Sequence, residues 1–130
     1  MSHSYVTDTM AIILRLERRR LSQNVKRIFD EVEGERLSLL IPAMVLAEVG
    51  YLAEKNKIDT NLQEVSDYCS KYPAVTFEPI TDKIIKMSFE IDDIPELHDR
   101  IIAGTARFKN LELITNDPVI MASKYVSSVW

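Results

Sequence analysis

Short apolar runs of strand type alternate along this chain with segments whose apolar residues recur at helical spacing, and that alternation limits the fold more than any other feature. "SYVT", from Ser4 to Thr7, reads as a strand that Asp8 ends. From Thr9 to about Arg19 the spacing is helical, with Ile12, Ile13 and Leu16 on one face and Arg15, Arg18 and Arg19 on another. A second helix carries Val25, Ile28, Phe29 and Val32 and stops near Gly34, a favoured residue just past a helix end. "RLSLLIP" is a buried strand closed by Pro42, which suits the first turn of a helix through "AMVLAEVGYLAEKN". "TNLQEVSDYCSKY" is a further helix, capped by Thr60 or Asn61, and "AVTFEPI" is a strand. Thr81 and Asp82 cap a helix carrying Ile84, Ile85, Met87, Phe89 and Ile91. After Pro95, "ELHDRIIAGTARFKNLELITNDP" supplies one more helix and a strand; beyond Pro118 a short helix leads to a last strand, "YVSSVW".

The resulting order, βααβααβααβαβ, predicts an α/β fold: a doubly wound, mostly parallel sheet of about five strands with helices on both faces. Sheets of this kind place their sites in a crevice beyond the carboxyl ends of the strands. The 130 residues are expected to form one domain, 1–130, with no linker, repeat or low-complexity segment.

Composition removes several function classes. The net charge of -4 argues against a passive nucleic-acid coat, yet leaves room for an enzyme that grips phosphate through metal ions. The single cysteine, Cys69, can build neither a disulfide framework nor a zinc site, and its spacing from Val65 reads as core. Asp8 precedes the apolar run "MAIIL" and arginines follow it, unlike a signal peptide, and every apolar run is too short to span a bilayer. A cytoplasmic protein with no membrane partner is the expectation. None of the three glycines, Gly34, Gly50 and Gly104, belongs to a phosphate-binding loop, and there is no GxSxG elbow. The two histidines are His3, expected in a frayed terminus, and His98. A phospho-accepting receiver domain would need an acidic pair after the first strand and a lysine near the end of the last, and the chain has neither.

Carboxylates remain. Asp8 ends the first strand, Glu48 lies in the helix after the second, Asp99 opens the helix before the fourth, and Asp117 ends the fourth strand. Asp8 and Asp117 also read as helix caps, the latter with Pro118 behind it, and Asp99 suits a first turn, where the helix dipole favours an anion. Glu48 has no capping role: on a wheel it lies among Met44, Val45, Tyr51 and Leu52, so it either reaches a solvated edge or needs a partner. A doubly wound sheet brings the ends of strands one and four to one rim. Four carboxylates crowded there repel one another, and Mg²⁺ or Mn²⁺, which prefer oxygen ligands, resolve that repulsion. Such ions serve phosphodiester hydrolysis.

Four segments, "YVTDTMAII", "IPAMVLAEVGYLA", "LHDRIIAGTA" and "LELITNDPVI", together resemble the PIN-domain family, in particular its toxin nucleases of VapC type. The resemblance covers almost the whole chain. It implies that Asp8, Glu48, Asp99 and Asp117 form the family's acidic quartet, holding metal and carrying catalysis. It also implies that Thr9 and Thr115, with Asn116, are polar groups behind those acids. The chain departs from the family at Met10, where many relatives carry Ser or Asn. The resemblance further implies a Mg²⁺- or Mn²⁺-dependent ribonuclease, a homodimer, and a small antitoxin protein as partner.

Arg15, Arg18, Arg19 and Arg20, with Lys26 and Arg27, give the N-terminal helices a local positive field. Arg15, Arg18 and Arg19 are the candidates for RNA phosphate contacts; the alternative is a solvated face that Glu17 and Asp30 partly neutralise. His98 either orients Asp99 or lies on the surface, and Gly104 is expected to allow close helix–sheet packing. Two rival functions are a catalytically inactive PIN scaffold that binds RNA or a partner protein, and a small metal-dependent phosphatase.

Overall fold

The structure, a computed structural model, describes residues 4–130; His3 lies outside them. Its elements in chain order are β1 (Ser4–Thr7), α1 (Thr9–Leu16), α2 (Gln23–Glu33), β2 (Ser38–Pro42), α3 (Ala43–Glu54), α4 (Leu62–Lys71), β3 (Val75–Glu78), α5 (Asp82–Ser88), α6 (Leu97–Lys109), β4 (Glu112–Ile114), α7 (Pro118–Met121) and β5 (Ser128–Val129). The expected order is met element for element. The five strands lie in the order β3-β2-β1-β4-β5, and every pairing is parallel.

Successive strand residues point to opposite faces, so a strand buried at consecutive positions is covered on both sides. Val6 and Thr7, and likewise Leu113 and Ile114, are wholly buried. The covering residues are the apolar stripes of the helices: Ile12 and Ile13 from α1, Val25, Ile28 and Phe29 from α2, Val45 and Val49 from α3, Ile102 and Ala106 from α6. Among the described residues no helix is long and apolar enough to cross a membrane.

Helix starts follow cap chemistry closely. Ser22 accepts from the Val25 N–H, Asn61 from Glu64 and Thr81 from Ile84. Asn61 is the cap of α4, while the hydroxyl of Thr60 donates to Glu17, 2.9 Å away. Pro42 ends β2 and stands at the position before α3.

Helix ends depart from expectation in three places. The first helix stops at Leu16, because Arg18 turns left-handed (φ 55°) and the Arg19 N–H returns to the Leu14 carbonyl at 2.8 Å. Arg18 and Arg19 therefore do not share a helical face with Arg15. The left-handed residue after α2 is Glu35 (φ 62°), one place beyond Gly34. Helix α5 ends at Ser88, so Phe89 is exposed and Ile91 enters the core from the loop beyond.

Gly104 packs against a helix and not against the sheet. A Cβ built there would lie 1.9 Å from the Ser88 hydroxyl oxygen and 2.9 Å from the Ser88 Cα. Helices α5 and α6 cross so closely that only hydrogen fits.

Candidate active site

Strand order reverses between β1 and β4: the chain runs outward through β2 and β3, then returns to the other side of β1. A crevice opens beyond the carboxyl ends of the strands at such a switch point. Thr7 is in register with Ile114, and the Asp8 N–H extends the ladder to the Ile114 carbonyl at 3.1 Å. Asp8 and Thr115 consequently leave the sheet side by side.

Asp8 is the cap of α1, its Oδ1 accepting from the Ala11 N–H at 2.8 Å. The Thr115 hydroxyl stands beside the Asp8 carboxylate and favours its charged form. That same hydroxyl oxygen accepts from the Asp117 N–H at 3.1 Å. Asp117 in turn caps α7, Oδ1 accepting from Val119 at 2.9 Å and Ile120 at 3.2 Å. Thr115 thus neighbours both aspartates.

Asp8 is only 7% exposed. Burial pushes its carboxyl up to about 6 against the opposing influence of Thr115 and the Ala11 N–H, and the charges of Asp117 and Glu48 add to the rise. Asp99, half-buried in the first turn of α6, is also pushed up to about 6. Burial is the main cause, followed by the charges of Glu96, Asp117, Glu48 and Asp8. The four expected acids therefore occupy one locality and act on one another. Glu48 sits on α3, half-buried, and accepts the hydroxyl of Thr9. Asp8 and Asp117 cap their helices, while Asp99 lies in the first turn of α6, where Glu96 is the cap.

Among the described residues, no three carboxylate, imidazole or thiol groups stand close enough to form a ready-made metal cage. The donor set nevertheless suits Mg²⁺ or Mn²⁺, which are bound through one or two carboxylates while keeping several waters. The candidate donors are all oxygen, and repulsion among them is what a divalent cation would relieve.

Glu96 belongs to this region without having been legible there. It caps α6, accepting from the Asp99 N–H at 2.6 Å, and after burial its charge is the largest influence on Asp99. Glutamate is not among the favoured caps, so residue type alone does not mark it. His98 lies 2.6 Å from Glu96 through Nδ1 and is half-exposed; its partner is Glu96 and not Asp99. Asn116 is exposed between Thr115 and Asp117, and the side chain of Met10 is exposed beside Thr9. Cys69 is half-buried, and burial pushes its thiol up to about 11, which keeps it inert.

The arginines separate into two groups. Arg15 holds Glu33 through two hydrogen bonds of 2.8 Å and Asp30 through a third of 2.8 Å, and it lies over the Phe29 ring. Tyr68 donates to the same Glu33 at 2.6 Å. Arg15 is thus committed to an internal network, while Arg18, Arg19 and Arg20 are exposed.

The PIN domain family model matches residues 5–123, and the chain belongs to that family. Comparison with curated proteins finds no match. Among solved structures, VapBC2 from Rickettsia felis bound to a DNA fragment from its promoter is similar at a TM-score of 0.72 and 17% identity, over 98% of both chains. A toxin–antitoxin complex from Klebsiella pneumoniae is similar at a TM-score of 0.66 and 23% identity, over 97% of this chain and 96% of that one. VapC20 from Mycobacterium tuberculosis, a toxin that cleaves the sarcin–ricin loop, is similar at a TM-score of 0.66 and 15% identity, over 94% of this chain and 96% of that one.

Proposed function

We propose that the chain is a metal-dependent endoribonuclease, the toxin of a toxin–antitoxin pair, working as a homodimer with a small antitoxin protein as partner. The observation that carries the nuclease reading is the crowding of Asp8, Glu48, Asp99 and Asp117 at the β1/β4 switch point, where the buried Asp8 and half-buried Asp99 feel the other carboxylates. The toxin, antitoxin and dimer readings draw on the similarity to toxin–antitoxin structures.

Asp8, Glu48, Asp99 and Asp117 would hold Mg²⁺ or Mn²⁺, directly or through water. The chemistry such an ion supplies is activation of water and stabilisation of the charge that develops on the phosphodiester. Thr9 would hold Glu48 through its hydroxyl, and the Ala11 N–H would hold Asp8 with Thr115 beside it. In the hydrolysis a water oxygen bonds to phosphorus, the bond to one bridging oxygen breaks, and that oxygen leaves with a proton.

The test is cleavage of labelled RNA by the purified chain in EDTA, then with Mg²⁺ or Mn²⁺ restored. Cleavage that depends on the added ion is expected. Undiminished cleavage in the chelator would remove the metal from the mechanism.

A further inference from the structure

A second cleft lies apart from the carboxylate crevice. It has a volume of about 910 Å³ and is lined from α1, the α1–α2 loop, α2 and α4. Parallel strands start at one edge, and the cleft lies at that edge. Helix α2 ends at Glu33, just before β2, and Tyr72 lies just before β3, its carbonyl accepting from the Val75 N–H at 3.0 Å. Helix α1, eight residues long, runs from the carboxylate rim toward this edge, a rise of about 12 Å.

The charge of the cleft opposes that of the chain. Arg15, Arg18, Arg19, Arg20, Lys26 and Lys71 face three acids, Glu33, Glu64 and Asp67. Arg15 is committed to Glu33, Lys26 pairs with Asp30 at 3.0 Å and Arg19 reaches Glu17 at 3.4 Å, so Arg18, Arg20 and Lys71 face Glu64 and Asp67. The whole chain carries -4. An anionic polymer is repelled by the acidic rim, so its affinity must come from elsewhere on the surface. The left-handed turn at Arg18 presents three consecutive guanidinium groups, whose forks match phosphate oxygens. The Tyr72 ring lines the same cleft with the Lys71 ammonium over it, 5.3 Å from its centroid, so an aromatic ring and a cation of the kind found in single-strand binding sites stand together.

We propose that this cleft anchors the backbone of single-stranded RNA at a distance from the site of cleavage, with Arg18, Arg19, Arg20 and Lys71 binding its phosphates. The proposal rests on the ribonuclease reading above. The anchor supplies sequence-independent affinity, and the carboxylate crevice acts on a nucleotide several positions along the same strand.

The test is fluorescence anisotropy of a labelled single-stranded RNA of about twenty nucleotides, titrated in EDTA over a series of potassium chloride concentrations. The chain carrying Arg18→Gln, Arg19→Gln, Arg20→Gln and Lys71→Gln should bind at least about tenfold more weakly. Its plot of log affinity against log salt should flatten by about 0.7 for each phosphate no longer neutralised. If that chain melts early, Arg19→Glu alone, at a side chain 58% exposed, is read by the same two criteria. Unchanged affinity and slope would overturn the proposal. So would binding of polyglutamate more tightly than RNA of matched charge, which would make the cleft a site for an acidic protein segment. A chain that binds RNA this way but never cuts it keeps the anchor and loses the nuclease reading. One that cuts RNA while the four substitutions leave binding intact loses the anchor alone.

Discussion

Thr9, the residue after the buried Asp8, donates its hydroxyl to Glu48. This hydrogen bond joins α1 to α3 and ties down the one expected acid that lies away from a helix start. It answers the problem that a carboxylate set among Met44, Val45, Tyr51 and Leu52 poses in the sequence: Glu48 has a hydrogen-bond partner.

Thr9→Val and Thr115→Val should therefore act through the carboxylates they orient. Loss of one such hydroxyl should cost about 1 kcal/mol of stability. It should also lower metal affinity or cleavage by about 10- to 100-fold, the usual effect of removing a group that orients a ligand. Thermal melting and Mn²⁺ titration of each variant measure the two effects. Wild-type metal affinity in both variants would deny the two threonines any role at the site.

The pH dependence of stability reports the buried charge. Burial first, then the Asp117 and Glu48 charges, raises the Asp8 carboxyl from 3.8 to about 6. A carboxyl raised in the folded state binds its proton more tightly there than in the unfolded chain. Its contribution is full below about pH 4 and is lost as pH rises through about 6. Asp8→Asn removes this linkage while keeping a residue that caps a helix. In metal-free buffer the variant should gain on the native chain by on the order of 2–3 kcal/mol between about pH 4 and pH 7. Melting curves at several pH values give this difference, and a difference that does not change with pH would show that Asp8 is not strained by its surroundings.

Gly104→Ala tests the crossing of α5 and α6. The added methyl would meet the Ser88 hydroxyl oxygen at 1.9 Å and the Ser88 Cα at 2.9 Å. The helices must part, at a cost of about 3 kcal/mol or more, near the upper end for an overpacked core. Adding Ser88→Ala should recover part of this loss, because the clash with the hydroxyl oxygen goes while the clash with the backbone stays. Denaturant unfolding of the single and double variants measures both.

Much of this architecture was legible because local chemistry marked it. Asp8, Asn61, Thr81 and Asp117 start helices where their side chains bond the first-turn amides. The alternation of strand-type runs with helical segments implied a mostly parallel sheet covered on both faces. The four acids could be named because they fall at the ends of such elements or, for Glu48, on the packed face of one. What stayed hidden depends on side chains meeting across the fold. Arg15 is indistinguishable from its neighbours until the fold brings Glu33 and Asp30 to hold it. The end of α1 is hard to read because an arginine, Arg18, takes the left-handed turn that glycine usually marks. The partner of Gly104 is Ser88, and nothing in the spacing of one helix announces which element crosses it.

Thermal melting with and without Mn²⁺ reports whether Asp8, Glu48, Asp99 and Asp117 form one metal-holding site. The variants are Asp99→Asn, Asp117→Asn and Glu48→Gln, which keep shape and remove charge. Metal-induced stabilisation follows RT ln(1 + [L]/Kd), so a lost ligand reduces the shift whatever the RNA substrate is. Removing one charge from a crowded set also relieves repulsion, so the metal-free variants should melt at or above the native temperature. All three are expected to retain the fold, lose most of the Mn²⁺-dependent shift and lose RNA cleavage. Asp99→Asn and Asp117→Asn that keep the native shift and the native cleavage would leave the two aspartates as helix-start residues only and contradict the four-carboxylate site.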